Sequence, residues 1–207
     1  MKSFPFIYFL LFLFIFSCQN DSSIENENFV IEQYKIQMSK DPLVFTLIDR
    51  QIDFSVQVSY IYEDIPKNQW GGMLTELNEK KSNDDILFLL KKRNIQTNAD
   101  FQESLTALNT AQISVMKKYN NLPNLSDEVR NEIWKHCITS YGDRFKTAKS
   151  TDCCGSMRGH LWGCIGGSTV ILGFSWLTGL AVPALRGAGW ANDCIRKAEQ
   201  TYGGCCH

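Results

Sequence analysis

Residues 42–66 read PLVFTLIDRQIDFSVQVSYIYEDIP, and whether they form a strand or a helix decides the fold class. Ile52, Phe54, Val56, Val58, Tyr60 and Tyr62 alternate with mostly polar neighbours, the period-two pattern of a half-buried strand. Leu47, Phe54, Val58, Ile61 and Ile65 also share one face of a helix. Asp41-Pro42 is a helix-start signal, with Asp as N-cap and Pro at the first helical position. Pro66 is a stop. A strand needs partners, and no second convincing strand stands nearby. The expectation is a helix to about Asp64, with a strand at 52–62 as the alternative.

The segments on either side are helical in pattern. Upstream, Phe29, Gln33, Ile36 and Lys40 recur at helical spacing but give no clean apolar face. Downstream, Gly71-Gly72 marks a turn or a frayed helix start, and Asn83 caps a short helix through Lys92. That helix has Asp84 and Asp85 at its positive end and Lys91, Lys92 and Arg93 at its negative end, as the dipole favours. Phe101, Leu105, Leu108, Val115, Met116 and Tyr119 mark another helix, and Pro123 breaks the chain. Ser126 then caps the clearest helix, whose face carries Val129, Ile133, Trp134, Cys137, Ile138, Tyr141 and Phe145. The fold class expected is mainly α, with a helical bundle over 29–150.

The amino terminus carries an address. Phe4 to Phe16 is an uncharged run of thirteen residues after Lys2, the length of a signal-peptide core and short of the about 20 residues that span a membrane. It ends Ile15-Phe16-Ser17-Cys18, which resembles the lipobox of bacterial lipoprotein signal peptides. The resemblance covers residues 1–18 alone. It implies removal of residues 1–17, acyl chains on Cys18 and a membrane as partner. Gln19, where an aspartate would favour the inner membrane, implies the outer membrane. Residues 21–28, DSSIENEN, look like a short tether between the lipid and the domain.

Composition changes abruptly after Lys146–Ser150: 151–207 holds seven charged residues against 35 in 21–150. Between Cys153 and Cys206 lie six of the eight cysteines and eleven of the fourteen glycines. The region is expected to be a disulfide-stabilised helical unit, either separate or packed on the bundle as its last helices. An exported chain meets an oxidising compartment, so disulfides are the first reading of Cys153, Cys154, Cys164, Cys194, Cys205 and Cys206. A plausible pairing ties 153/154 to cysteines near the end and Cys164 to Cys194, with Cys137 as the unpaired thiol. Gly155, Gly159, Gly163 and Gly167 recur every fourth position. They form either a smooth helical face for close packing or a loop tied by the cysteines. Leu161 to Leu185 is 25 residues without a charge, read as a buried core helix, with a membrane segment as the alternative. Residues 192–202 fit a short amphipathic helix.

Chemistry is sparsely marked. Net charge is −1, with no basic excess for nucleic acid. The three histidines are His136, His160 and His207, and the sequence has no G-x-S-x-G, H-E-x-x-H or P-loop pattern. Asp84-Asp85 and Glu63-Asp64 are adjacent carboxylates read as solvated caps. With no C-x₂-C pair, neither zinc nor thiol exchange is expected. The expectation is a lipid-anchored envelope protein without cofactor, binding a protein or ligand partner rather than catalysing. The alternative is a membrane-active or oligomerising protein that acts through its glycine-rich tail.

Overall fold

The stretch 42–63 is a helix, and the molecule is assembled around it. The computed structural model describes residues 21–63, 65, 66, 69, 72, 73, 75, 76, 83–147, 153–171 and 181–202, with side chains from 28 onward except 63, 83, 146, 147, 154, 166–171 and 181–190. Among the described residues there are seven α-helices: α1 (Asp21–Met38), α2 (Pro42–Glu63), α3 (Asn83–Lys92), α4 (Ala99–Lys118), α5 (Asp127–Thr147), α6 (Cys153–Ile171) and α7 (Ala181–Tyr202), with a 3-10 turn at Leu122–Asn124. No strand occurs among them.

Helix α2 starts where the sequence marks it. The Asp41 carboxylate accepts a hydrogen bond from the Leu43 amide at 3.0 Å, filling one of the orphan donors of the first turn. The helix then packs against α4 and α7 and, less extensively, α5 and α6. Val44, Leu47, Ile48, Ile52, Phe54, Val56, Val58, Ile61 and Tyr62 are buried, and so are Gln51, Ser55 and Ser59. At 100° per residue these positions cover about 220° of the circumference. A helix buried over so wide an arc puts apolar side chains at even and odd spacings alike, so the strand-like alternation at 52–62 is a by-product of its central place. Its buried hydroxyls are satisfied locally: Ser55 Oγ donates to Gln51 O and Ser59 Oγ to Val56 O, each at 2.7 Å.

The other helices close around α2. Helix α4 lays Phe101, Leu105, Leu108, Gln112 and Val115 inward, and the Phe101 and Phe54 rings meet at 5.2 Å. Asn98 caps it through a 2.8 Å bond from the Phe101 amide. Helix α3 buries Ile86, Leu89 and Leu90, and the turn after it holds Asn94, whose φ of 57° is the left-handed conformation that asparagine tolerates. Ser126 accepts from the Val129 amide at 3.3 Å to start α5. Helix α5 then buries Ile133, Trp134, Cys137, Ile138 and Tyr141 and holds α1 on one side and α6 on another.

Several points that the sequence left open are decided. The compositional break at 146–150 does not divide the packing, because Leu161, Ile165, Ala191, Ile195 and Ala198 belong to the same apolar core as α1–α5. Small residues at 191 and 198 flank Ile195 on one helical face, and α7 packs extensively on α2. Of the uncharged run 161–185, residues 161–171 lie in α6 and 181–185 in α7, with Pro183 tolerated in its first turn, and 172–180 fall outside the described residues. No described helix is long and apolar enough to cross a membrane. Residues 21–28 are the opening turns of α1 rather than an irregular tether. The row Phe29, Gln33, Ile36, Lys40 is exposed throughout, and α1 turns Ile31 and Met38 inward instead.

The glycine ladder is helical, since α6 spans 155–167, but its members differ. A Cβ on Gly159 would meet Phe145 of α5 at 3.3 Å, whereas one on Gly163 would meet nothing within 4 Å. The position that demands glycine lies on the facing helix. A Cβ on Gly142 of α5 would overlap the indole of Trp162. Gly142→Ala is therefore expected to destabilise by about 1–3 kcal/mol through overpacking, despite the gain in helix propensity. Gly163→Ala is expected to stabilise by up to about 1 kcal/mol. Urea unfolding of the two variants checks the opposite signs. A stabilised Gly142→Ala would mean that α5 and α6 do not approach through this contact.

Candidate functional site

Only three charged residues interrupt positions 43–62: Asp49, Arg50 and Asp53. Asp49 and Asp53 stand one helical turn apart on the edge of α2 that faces α5 and α6. Helix α6 brings Arg158 across them. Its Nη1 donates to Asp49 Oδ1 at 2.8 Å and its Nη2 to Asp53 Oδ1 at 3.1 Å. Helix α5 brings the Tyr141 hydroxyl, which donates to Asp49 Oδ1. Arg50 reaches Asp53 Oδ2 at 3.3 Å from the outer side. Behind this cluster the Tyr141 ring packs edge-on against Phe45 and Phe145, at 5.8 and 5.3 Å, and the Arg144 guanidinium covers Phe45 at 4.6 Å.

The electrostatics follow from partial burial. About a third of each of Asp49, Asp53 and Arg158 is exposed. Desolvation pushes the Asp53 carboxyl above its ordinary range, against the pull of Arg158 and Arg50 and with the repulsion of Asp49. Burial opposes the charge on Arg158, but Asp53 and Asp49 outweigh it and hold the guanidinium above its usual value. Burial, and then the bond to Asp49, push Tyr141 far above the usual phenol range, so it remains a donor and not a nucleophile. Two carboxylates are thus bridged by one guanidinium, and the charges compensate within the cluster. Chemically this is a clasp between α2, α5 and α6, with Asp53 as the carboxylate most ready to take a proton.

Arg158→Met is expected to cost about 1–2 kcal/mol at neutral pH, between an exposed pair and a fully buried one. The loss depends on pH. Without Arg158 the folded pKa of Asp53 rises further above its unfolded value. Stability is then fullest below the unfolded value, about 4, and is lost as pH rises through the folded value. The variant should approach the wild type in mild acid and fall behind it towards neutrality. Urea unfolding at several pH values tests this, and a deficit that did not change with pH would remove Asp53 from the account.

A second polar anchor lies at the start of α2. The Asp41 side chain is 2 % exposed and accepts from Lys118 Nζ at 2.7 Å, from the Tyr119 hydroxyl at 2.5 Å and from the Leu43 amide. Burial favours its neutral form, but these bonds outweigh it and hold the carboxyl below the usual range. At the other end of α2, the Tyr60 hydroxyl donates to Glu199 of α7 at 2.5 Å under the Arg196 guanidinium.

The cysteines and glycines singled out in the sequence fall unevenly. Cys164 of α6 is bonded to Cys194 of α7, with Cα atoms 5.7 Å apart. Cys153 is exposed and also disulfide-bonded. The Cys154 side chain, Cys205, Cys206 and Cys18 with its preceding segment lie outside the described residues, as does the packing around Gly167. Cys137 is a buried free thiol, pushed up to about 12 by desolvation. The His160 ring meets that of Tyr202 at 5.6 Å, tilted by 48°, and Cys164, four residues on, is committed to sulfur. Asp49, Asp53, Tyr141 and Arg158 were missed in the sequence. The available signal was the pair of carboxylates four apart in an otherwise apolar helix. Their partner, 105 and 109 residues away, leaves no local trace.

The chain matches no protein-family model, no curated protein and no solved structure.

Proposed function

We propose that this is a lipid-anchored bacterial cell-envelope protein, held to the outer membrane through Cys18, with a binding role rather than a catalytic one. The observation that carries the reading is the Cys164–Cys194 disulfide between α6 and α7, joined by the bonded state of Cys153. Disulfides that staple a fold belong to oxidising compartments, and the lipobox-like Ile15-Phe16-Ser17-Cys18 supplies the route there. The clustered ionisable groups favour a binding role, because Asp49, Asp53, Arg158 and Tyr141 are engaged with one another. A membrane-active tail is the weaker reading, since α6 and α7 would have to leave their packing on α5 and α2.

Mass spectrometry of the mature protein from the membrane fraction tests the reading. The amino-terminal peptide should begin at Cys18 and carry acyl chains, and Cys18→Ser should leave the chain unprocessed at residue 17. A mature chain that starts elsewhere, or an unmodified Cys18, would sink the anchor.

A further inference from the structure

Helix α1 is apolar on two opposite sides. Ile31 and Met38 face the core, with Tyr34 packed beside them. On the other side, Phe29 is 63 % exposed, Ile36 49 % and Val30 38 %. At 100° per residue, Ile36, Phe29, Gln33, Gln37 and Val30 occupy one arc of about 120°, and all five are exposed. That division explains why the sequence shows no single apolar face here. The arc contains no acidic residue, and Lys40 follows in the turn after it. The acidic Glu32 lies off the arc and pairs with Lys35, which in turn reaches Glu132 of α5.

What covers this arc is indicated by where the chain comes from. Only Gln19 and Asn20 separate Cys18 from Asp21, the first described residue of α1. A lipid on Cys18 therefore enters the bilayer within a few residues of the helix start, and Phe29 follows about 12 Å along the axis. We propose that the arc Phe29, Val30, Gln33, Ile36 and Gln37 lies against the membrane surface beside the anchor, with α1 roughly in the interface plane. Phe29 and Ile36 enter the boundary between headgroups and acyl chains, the amides and Lys40 meet the phosphates, and the α5 side faces away. The inference rests on the anchor proposed above and adds an orientation to it: the domain is held by a face, not hung from a flexible tether.

Photo-crosslinking on the full, natively processed protein tests it. Benzoylphenylalanine would replace Phe29, Ile36 or, as an exposed control on another helix, Ile113 of α4, which is 45 % exposed. The protein is placed in vesicles of phosphatidylethanolamine and phosphatidylglycerol and irradiated, and adducts are identified by mass. Lipid adducts at 29 and 36, at least fivefold above those at 113, are expected. Equal labelling at all three positions, adducts to a second copy of the chain, or adducts to residues 4–16 of an unprocessed chain would overturn the proposal. The same spectra report acylation of Cys18. An acylated protein without lipid adducts at 29 and 36 overturns the orientation alone. An unacylated protein that still labels there removes the anchor and supports the lipid-facing arc.

Discussion

Replacing Cys164 and Cys194 together by serine is expected to lower the unfolding free energy by about 3–4 kcal/mol. The two are 30 residues apart in sequence, and closing a loop of that size removes about this much freedom from the unfolded chain. For a protein of this length the melting temperature should fall by roughly 10 °C. The bond ties α6 to α7, and both helices press small or apolar residues into the common core, so its loss loosens a layer and not a surface loop. Thermal unfolding with and without reductant separates this bond from the one at Cys153. Reductant should lower the wild type further than the double substitution does, and the variant should keep a residual response to reductant. A double variant that melts with the wild type would show that packing alone holds α6 to α7.

Asp41→Ala is expected to cost about 2–4 kcal/mol. The N-cap of α2 accounts for about 1 kcal/mol. The Tyr119 hydroxyl, on a residue 6 % exposed, would then lack its acceptor, at about 1–3 kcal/mol. Asp41→Asn keeps Oδ1 for the Leu43 amide but puts an NH2 donor where Oδ2 accepts from Tyr119 and the half-exposed Lys118; the phenol oxygen can turn to accept from it, so the cost should stay at about 1–2 kcal/mol, below that of Asp41→Ala. The folded pKa of Asp41 is depressed, so the stability gained by ionisation is present above its ordinary value, near 4, and is lost as pH falls through the folded value. The gap between wild type and Asp41→Asn should thus close in acid, as the Arg158→Met deficit does, but for the opposite reason: ionisation of Asp41 stabilises the wild type, whereas ionisation of Asp53 destabilises the Arg158→Met variant. Denaturant titrations of Asp41→Ala and Asp41→Asn, repeated down to acid, decide the matter. Equal losses in the two variants would mean that the charge, and not the cap or the tyrosine, is what Asp41 contributes.

Local signals in the sequence survived into the fold, and long-range ones did not. Asp41-Pro42 and Ser126 announced helix starts because caps act within three residues. The α5 face from Ile133 to Tyr141 was legible because it borders a single core. Helix α2 was ambiguous because it is buried over most of its circumference. The glycines at 155, 159 and 163 drew notice by their spacing, yet close approach is a property of two helices, and the constrained residue is Gly142 opposite them. The Cys164–Cys194 pairing was anticipated because covalent chemistry restricts the choices. The reach of Arg158 to Asp49 and Asp53, and of Lys118 and Tyr119 to Asp41, depends on how distant helices are laid together.

Cys137 turns the core into its own reporter. Its side chain is fully buried, its thiol is pushed up to about 12, and it is a free cysteine. A thiol without exposure or thiolate character does not react with an alkylating reagent in the native state. Labelling at this position must wait for α5 to part from the helices around it, so its rate under native conditions counts excursions to the opened molecule. Followed peptide by peptide in mass spectra, with the disulfides left intact, that rate would give the opening free energy under native conditions, without heat or urea.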